Sequence, residues 1–326
     1  MANKVVITDC PWEDNSIERT ILESSGFEVV RARCVTSNDV VEVCQDANAL
    51  LVGWAPIDRN ALQQLPCCRF IMRYGVGYDN IDVAAATRAG IAVANNPDYC
   101  VEEVATHTLS LILASHRQLS SLMRSVQSGE WDPLAVMSAI PQLREMVIGL
   151  VGLGRIGSRV EEMVRPLVAE VLVYDPKFEQ ANATPKNLTL VSFAELLSRS
   201  DYISIHSPLN AETRNLFSSE AFQRMKPNAY LINCSRGGII DEMALINALQ
   251  MGQIGGAALD VFSSEPLPLD HPLHQFPSVI ITPHAAWYSA KADFLLRANP
   301  ARSIVRFFAG EPVSLVNAPL RSPSDN

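Results

Sequence analysis

No apolar run in this sequence is long enough to cross a bilayer. Its opening residues show no charged start followed by an apolar core and a small-residue cleavage site. Neither membrane insertion nor export through a leader is expected on those grounds, and a cytoplasmic location is. No block of Lys or Arg stands out, and the formal net charge is −9. That balance argues against nucleic acid or an anionic membrane as the partner. The seven cysteines are scattered and odd in number, Cys67 and Cys68 are neighbours, and no Cys-x-x-Cys or zinc-type spacing occurs. They read as reduced, mostly buried thiols, with no disulfide framework and no metal site. His271 and His274 flank Pro272 without a third ligand and read as surface residues. Internal repeats and low-complexity stretches are also lacking.

What the chain does have is length and an alternating pattern. With 326 residues, 48% of them apolar, it can bury two ordinary cores. Lys4–Asp9, Phe27–Cys34, Ala49–Trp54 and Arg69–Tyr74 read as strands; Ile17–Ser25, Asn38–Asp46 and Asp58–Leu65 read as helices. Such alternation builds a parallel sheet covered by helices. Val101–Met123 then reads as one long helix, apolar around most of its circumference. A second series follows, with strands expected at Val147–Val151, Val171–Tyr174, Tyr202–His206, Ala229–Cys234, Ala257–Phe262 and Val279–Thr282, enough for a doubly wound sheet. The last helical run, Tyr288–Phe308, carries Pro300 and is expected to kink or break there.

The second series opens on the most informative stretch. Val147–Val151 runs into Gly152-Leu153-Gly154-Arg155-Ile156-Gly157, a Gly-x-Gly-x-x-Gly turn that starts a helix. The first glycine allows the tight turn, the second lets a pyrophosphate approach the backbone, and the third lets helix and strand pack closely. The phosphates would rest on free N–H groups at the helix N-terminus. Asp175 closes the next strand at the distance where an acid reaches the adenosine ribose, and its charge would repel a 2′-phosphate. The pattern therefore points to NAD rather than NADP.

In such a sheet ligands bind outside the carboxyl ends of the strands, which singles out three segments. His206 caps one strand and either lines a ribose site or is a structural histidine. Arg236 emerges from an apolar strand into Gly237 and Gly238; its planar fork suits a carboxylate, the alternative being a surface pairing with Asp241 or Glu242. Asp260 and His284 both end apolar strands, and Glu265 lies in the loop between them. An imidazole held by a carboxylate is a plausible proton donor to a ketone and base toward an alcohol.

Taken together, Tyr74-Gly-Val-Gly-Tyr-Asp-Asn-Ile-Asp82, the glycine turn ending at Asp175, His206–Thr213, Asn233–Gly238, Leu259–Phe262 with Glu265-Pro266, and Thr282-Pro-His284 resemble the D-isomer-specific 2-hydroxyacid dehydrogenase family. The resemblance runs from about Phe70 to Asn317. It implies that Arg236 orients the substrate carboxylate and carbonyl, that His284 is the acid/base, and that Glu265 pairs with His284. It further implies that Asp260 binds the nicotinamide carboxamide, that His206, Ser207 and Pro208 with Cys234, Ser235 and Arg236 line the cofactor, and that the backbone N–H groups of Val76 and Gly77 hold the substrate carboxylate. Thr282–Ser289 is similar to the C-terminal-binding-protein corepressor branch, which would set Trp287 beside the substrate; otherwise Trp287 is a packing aromatic.

The resemblance also implies a Rossmann nucleotide-binding domain over residues 99–298 and a discontinuous flavodoxin-like α/β substrate domain over residues 1–98 and 299–326. It implies a homodimer formed through the helix that begins near Val101. The activity expected is hydride transfer between NAD(H) and a small D-2-hydroxy or 2-oxo acid. One alternative is an NADH-sensing, corepressor-like binding protein, although those proteins carry a long C-terminal tail and only a short one follows Asn317. The other is a formate-type or phosphite-type oxidoreductase.

Overall fold

Strands buried on both faces carry both halves of the molecule, as expected where helices cover each side of a parallel sheet. In the computed structural model, which describes residues 2–132, 134, 140–181 and 188–319, the chain forms two units, Met1–Cys100 with Ser289–Asn326 and Val101–Tyr288.

The first unit is a parallel five-stranded sheet. Its strands β1 (Lys4–Ile7), β2 (Glu28–Arg31), β3 (Ala49–Val52), β4 (Phe70–Arg73) and β5 (Ala92–Ala94) lie in the order β2-β1-β3-β4-β5. β3, β4 and β5 are buried at every position. The returning helix Ala290–Phe308 seals the unit: Phe307 stacks on Phe70 with ring centroids 4.2 Å apart. Arg297 of that helix meets the fully buried Glu18, donating Nη2–H to Oε2 at 2.9 Å, and the Tyr74 hydroxyl donates to Glu18 Oε1 at 3.1 Å. Removing one partner of such a buried pair costs about 3–5 kcal/mol, because the other charge is left without compensation. These contacts explain why the whole helix belongs to the first unit, rather than only the part after residue 298. The helix does not break at Pro300. Pro300 is buried, and Asn96 Nδ2–H donates to the Leu295 carbonyl at 3.3 Å, close to where the ladder has lost an N–H.

The second unit is a parallel seven-stranded sheet. Its strands β6 (Val147–Val151), β7 (Glu170–Tyr174), β8 (Thr189–Leu190), β9 (Tyr202–Ile205), β10 (Tyr230–Asn233), β11 (Gly256–Leu259) and β12 (Val279–Ile281) lie in the order β12-β11-β10-β9-β6-β7-β8. The order reverses between β6 and β9, which makes this a doubly wound sheet with its crevice beside the glycine turn. β8 goes beyond the six expected strands; two residues at a sheet edge are too few to show a period.

The long helix expected over Val101–Met123 is two helices, Val101–His116 and Leu119–Gln127, separated at Gln118 in the left-handed region (φ 52°). Neither Gly nor Pro announces the break. Tertiary contacts on both sides hold it: His116 Nδ1 lies 3.1 Å from the Tyr202 hydroxyl, and Arg124 donates to the Pro277 carbonyl at 3.0 Å. No helix among the described residues is long and apolar enough to cross a membrane.

Candidate active site

The three glycines of the β6 turn have three distinct surroundings. Gly152 has φ +98°, and a Cβ there would meet the His206 backbone at 2.9 Å. A Cβ at Gly157 would collide with the Gly152 carbonyl oxygen. A Cβ at Gly154 would meet nothing within 4 Å, and this residue caps the helix Arg155–Val164, whose first backbone N–H groups, those of Arg155 and Ile156 included, have no acceptor within the helix. Asp175, just past β7, accepts the Leu153 N–H at 2.8 Å and the Lys177 N–H at 3.0 Å, which ties it to the glycine turn.

Across the crevice, His206 and Ser207 follow β9. His206 Nε2 and Ser207 Oγ are buried and have no hydrogen-bond partner among the described residues. Burial pushes the His206 pKa down to about 4, so the ring is neutral at physiological pH. Leaving two buried polar atoms unsatisfied costs about 1–3 kcal/mol each, unless a bound group completes them. Together with the open Gly154 and the glycine cradle, these atoms fit a dinucleotide. Pro208, next in line, is exposed and offers its carbonyl to the Thr213 hydroxyl at 2.6 Å.

β10 ends in Asn233, whose side chain shapes the next turn: Oδ1 accepts the Ser235 N–H and Nδ2 donates to the Arg236 carbonyl, both at 2.9 Å. Ser235 Oγ donates to the Ile205 carbonyl at 2.7 Å, and burial pushes the half-exposed Cys234 thiol up to about 12. Arg236 is half-buried and donates Nη1–H to the Ser235 carbonyl at 2.9 Å. The two acids considered as surface partners are occupied elsewhere. Asp241 caps the helix Glu242–Gln250 through the Ala244 N–H, and Glu242 Oε1 lies 3.1 Å from His271 Nε2. His271 is therefore a half-buried loop anchor and not a surface residue; His274 is exposed.

A Cβ at Gly237 would overlap the Phe262 carbonyl, so glycine is required for the Arg236 turn to lie against the loop that follows β11. That loop carries Glu265. Glu265 Oε1 accepts the Phe262 N–H at 2.9 Å, and Oε2 accepts from His284 Nδ1 at 2.7 Å. Burial pushes the Glu265 carboxyl up, but the hydrogen bonds from His284 and Phe262 and the charges of His284 and Arg236 outweigh burial, and its pKa lies below the ordinary carboxylate value. The structure thus brings Arg236, Glu265 and His284 into one electrostatic neighbourhood. With Nδ1–H committed to Glu265, the His284 nitrogen left for exchange is Nε2.

His284 sits at φ +53°, in the left-handed region, and Asp260 holds it there. The buried Asp260 accepts from Thr282 Oγ1 (2.6 Å), Ala285 N–H (2.9 Å) and Ala286 N–H (2.9 Å), and its carbonyl accepts the His284 N–H at 2.8 Å. As placed, Asp260 positions the His284 turn. Behind it stands His107, which sequence reasoning missed: its Nε2 lies 3.1 Å from Thr282 Oγ1. Because the Thr282 hydroxyl donates to Asp260, His107 must donate to Thr282. No local signal links residues 175 positions apart.

Trp287 meets Tyr288 edge to face at 5.5 Å. Val76 and Gly77 belong to the first unit, where they follow β4; both are half-exposed, and Asn95 Nδ2–H fixes the Val76 carbonyl at 2.6 Å. Among the described residues no group of three or more His, Cys, Asp or Glu side chains could hold a metal ion.

Comparison with known proteins places this geometry. The family model for the D-isomer specific 2-hydroxyacid dehydrogenase NAD binding domain matches residues 109–286. The chain is 38% identical over 268 residues to a glyoxylate reductase of Thermofilum pendens, covering 80% of this chain and 78% of that one. It is 37% identical over 287 residues to a D-3-phosphoglycerate dehydrogenase of a Synechocystis species, covering 87% of this chain and 51% of that one. The chain spans only 51–60% of the length of several D-3-phosphoglycerate dehydrogenases it matches. Among solved structures, an NAD-dependent formate dehydrogenase from Staphylococcus aureus in complex with NAD superposes with a TM-score of 0.85 at 30% identity, covering 98% of this chain and 100% of that one.

Proposed function

Because this chain belongs to the D-isomer-specific 2-hydroxyacid dehydrogenase family, we propose that it is an NAD-dependent oxidoreductase acting on a small D-2-hydroxy or 2-oxo acid. The observation that carries the reading is the 2.7 Å pair of His284 and Glu265, with the charge of Arg236 acting on the same carboxylate. A binding protein that only sensed NADH would have no use for a paired imidazole and an arginine fork in one place.

The turn from Gly152 to Gly157 and the N-terminal N–H groups of Arg155 and Ile156 would hold the pyrophosphate. Asp175 would accept from the adenosine ribose, while His206, Ser207, Pro208, Cys234 and Ser235 would line the remainder and Asp260 would meet the carboxamide. NAD(H) held by these residues would supply the hydride chemistry at C2 of the acid. Arg236 clamps the acid through two parallel N–H bonds. Orientation of this kind supplies several kcal/mol of barrier reduction. His284 Nε2 gives a proton to the carbonyl oxygen during reduction and takes it from the hydroxyl during oxidation, and Glu265 stabilises the charged imidazole. Trp287 would close one side of the substrate pocket.

A homodimer is part of the proposal. On the helix Leu119–Gln127, Leu119, Met123 and Val126 are 46%, 64% and 54% exposed at one-face spacing, and Trp131 beyond it is 86% exposed. Light scattering after size exclusion tests this. The free cysteines fit a reducing, cytoplasmic setting. The direct test of activity is NADH consumption across 2-oxo acids that differ at C3. Turnover of at least one is expected; NADH binding with no turnover of any would favour the sensor.

A further inference from the structure

The first unit contains a cleft of about 760 Å³ that none of the chemistry above uses. It lies outside the carboxyl ends of three neighbouring strands: Asp9 and Cys10 follow β1, Arg31 ends β2 with Arg33 two residues on, and Trp54 follows β3. The order β2-β1-β3 makes this the point where the connections of the sheet reverse, the place where an open α/β sheet forms a crevice.

The lining is cationic and aromatic. Arg31 donates Nη1–H to the Glu13 carbonyl and Nη2–H to the Trp12 carbonyl, both at 2.6 Å, so its guanidinium is fixed without a carboxylate partner among the described residues. Arg33 is exposed and makes no hydrogen bond or ion pair among the described residues. Asp9, the one acid in the lining, is already spent. Its Oδ1 accepts from the Gly53 N–H (3.0 Å), the Ala55 N–H (3.2 Å) and the Thr8 hydroxyl (2.7 Å), and Oδ2 accepts the Trp54 N–H. A Cβ at Gly53 would run into that carboxylate. The clamp sets out Trp54 with 59% of its surface exposed, and Val35 is 70% exposed nearby in the lining. On a chain of net charge −9, two arginines without carboxylate partners among the described residues stand beside an exposed indole.

We propose that this cleft of the first unit binds a small organic carboxylate with a flat apolar body. The Arg33 fork takes the carboxylate, the pinned Arg31 adds a second positive charge, and the flat body lies against Trp54 and Val35.

Benzoate is the probe, titrated into the NADH-free protein while the indole N–H resonance of Trp54 is followed; that resonance is identified by its loss in Trp54→Phe. A saturable shift is expected. Arg33→Glu should weaken it by about tenfold or more, with Arg33→Gln intermediate, while Arg236→Ala leaves it unchanged. Inorganic phosphate, which carries charge but no flat face, should bind about tenfold more weakly than benzoate. The proposal is overturned by the absence of a saturable shift, by a shift that survives Arg33→Glu or vanishes in Arg236→Ala, or by phosphate binding as tightly as benzoate. Thermal unfolding of Arg33→Glu that matches wild type establishes that the variant is folded.

Discussion

His284 Nδ1 stands 2.7 Å from Glu265 Oε2, and the second oxygen of the same carboxyl is pinned by the Phe262 N–H at 2.9 Å. Glu265 is therefore held in place before it holds the imidazole, with its charge kept by the net lowering of its pKa. Glu265→Gln preserves the shape and the acceptor oxygen while removing that charge. Its kcat should fall by roughly tenfold to a thousandfold at neutral pH, with NADH affinity little changed. Stopped-flow turnover beside fluorescence titration of NADH checks this; an unaltered kcat would leave Glu265 a structural role only.

Arg236 serves through geometry as well as charge. Arg236→Lys keeps a cation but loses the two parallel donors, so kcat/KM for carboxylate substrates should drop by about a hundredfold or more. Steady-state kinetics with the best 2-oxo acid measures it. An unchanged kcat/KM contradicts the clamp.

The Asp175 carboxylate sits 2.8 Å from the Leu153 N–H, at the mouth of the glycine turn. Asp175→Ser removes the negative charge while leaving a short acceptor, and the ratio of NADPH to NADH dissociation constants should fall by about tenfold or more. Calorimetric titration with both cofactors decides; a ratio that does not move counts against the ribose assignment.

His206 makes stability depend on pH. Its ordinary pKa is 6.5, and burial lowers it to about 4 in the folded chain. The unfolded chain therefore takes up the proton first as pH falls. The stabilisation from burying a neutral ring is full above about pH 6.5 and is lost progressively on going down toward pH 4. Between pH 7 and pH 5 the unfolding free energy should fall by on the order of 1–2 kcal/mol from this residue. His206→Gln should flatten that part of the curve in urea unfolding, and a curve of unchanged slope would contradict it.

The sheets and the glycine turn were legible because they rest on local rules. Fully buried parallel strands leave apolar runs, and Gly152, Gly154 and Gly157 stand between a strand and a helix, with Asp175 closing the next strand, a context that the glycine spacing alone would not supply. The pairing of Glu265 with His284 is implied by the family resemblance and not by spacing, which cannot show that two loop residues touch; the structure sets them 2.7 Å apart. What stayed hidden depends on contacts that no local pattern encodes. His107 reaches Thr282 across 175 positions. Gln118 interrupts a run that reads as one helix because His116 and Arg124 are held on either side by Tyr202 and Pro277. Pro300, with its missing N–H, is expected to kink or break the helix; the helix is not broken, and the Asn96 amide donates to the nearby Leu295 carbonyl. The bonds by which the Asp260 oxygens hold the turn that places His284 at φ +53° were likewise hidden, because they join residues 22 to 26 positions apart.

The central claim is that His284 moves the proton at the substrate oxygen, and His284→Ala tests it with two readouts on one preparation. Turnover with the preferred 2-oxo acid should drop by about a thousandfold or more, while the NADH dissociation constant stays within about threefold of wild type. Turnover close to wild type in a variant that binds NADH normally would contradict the account.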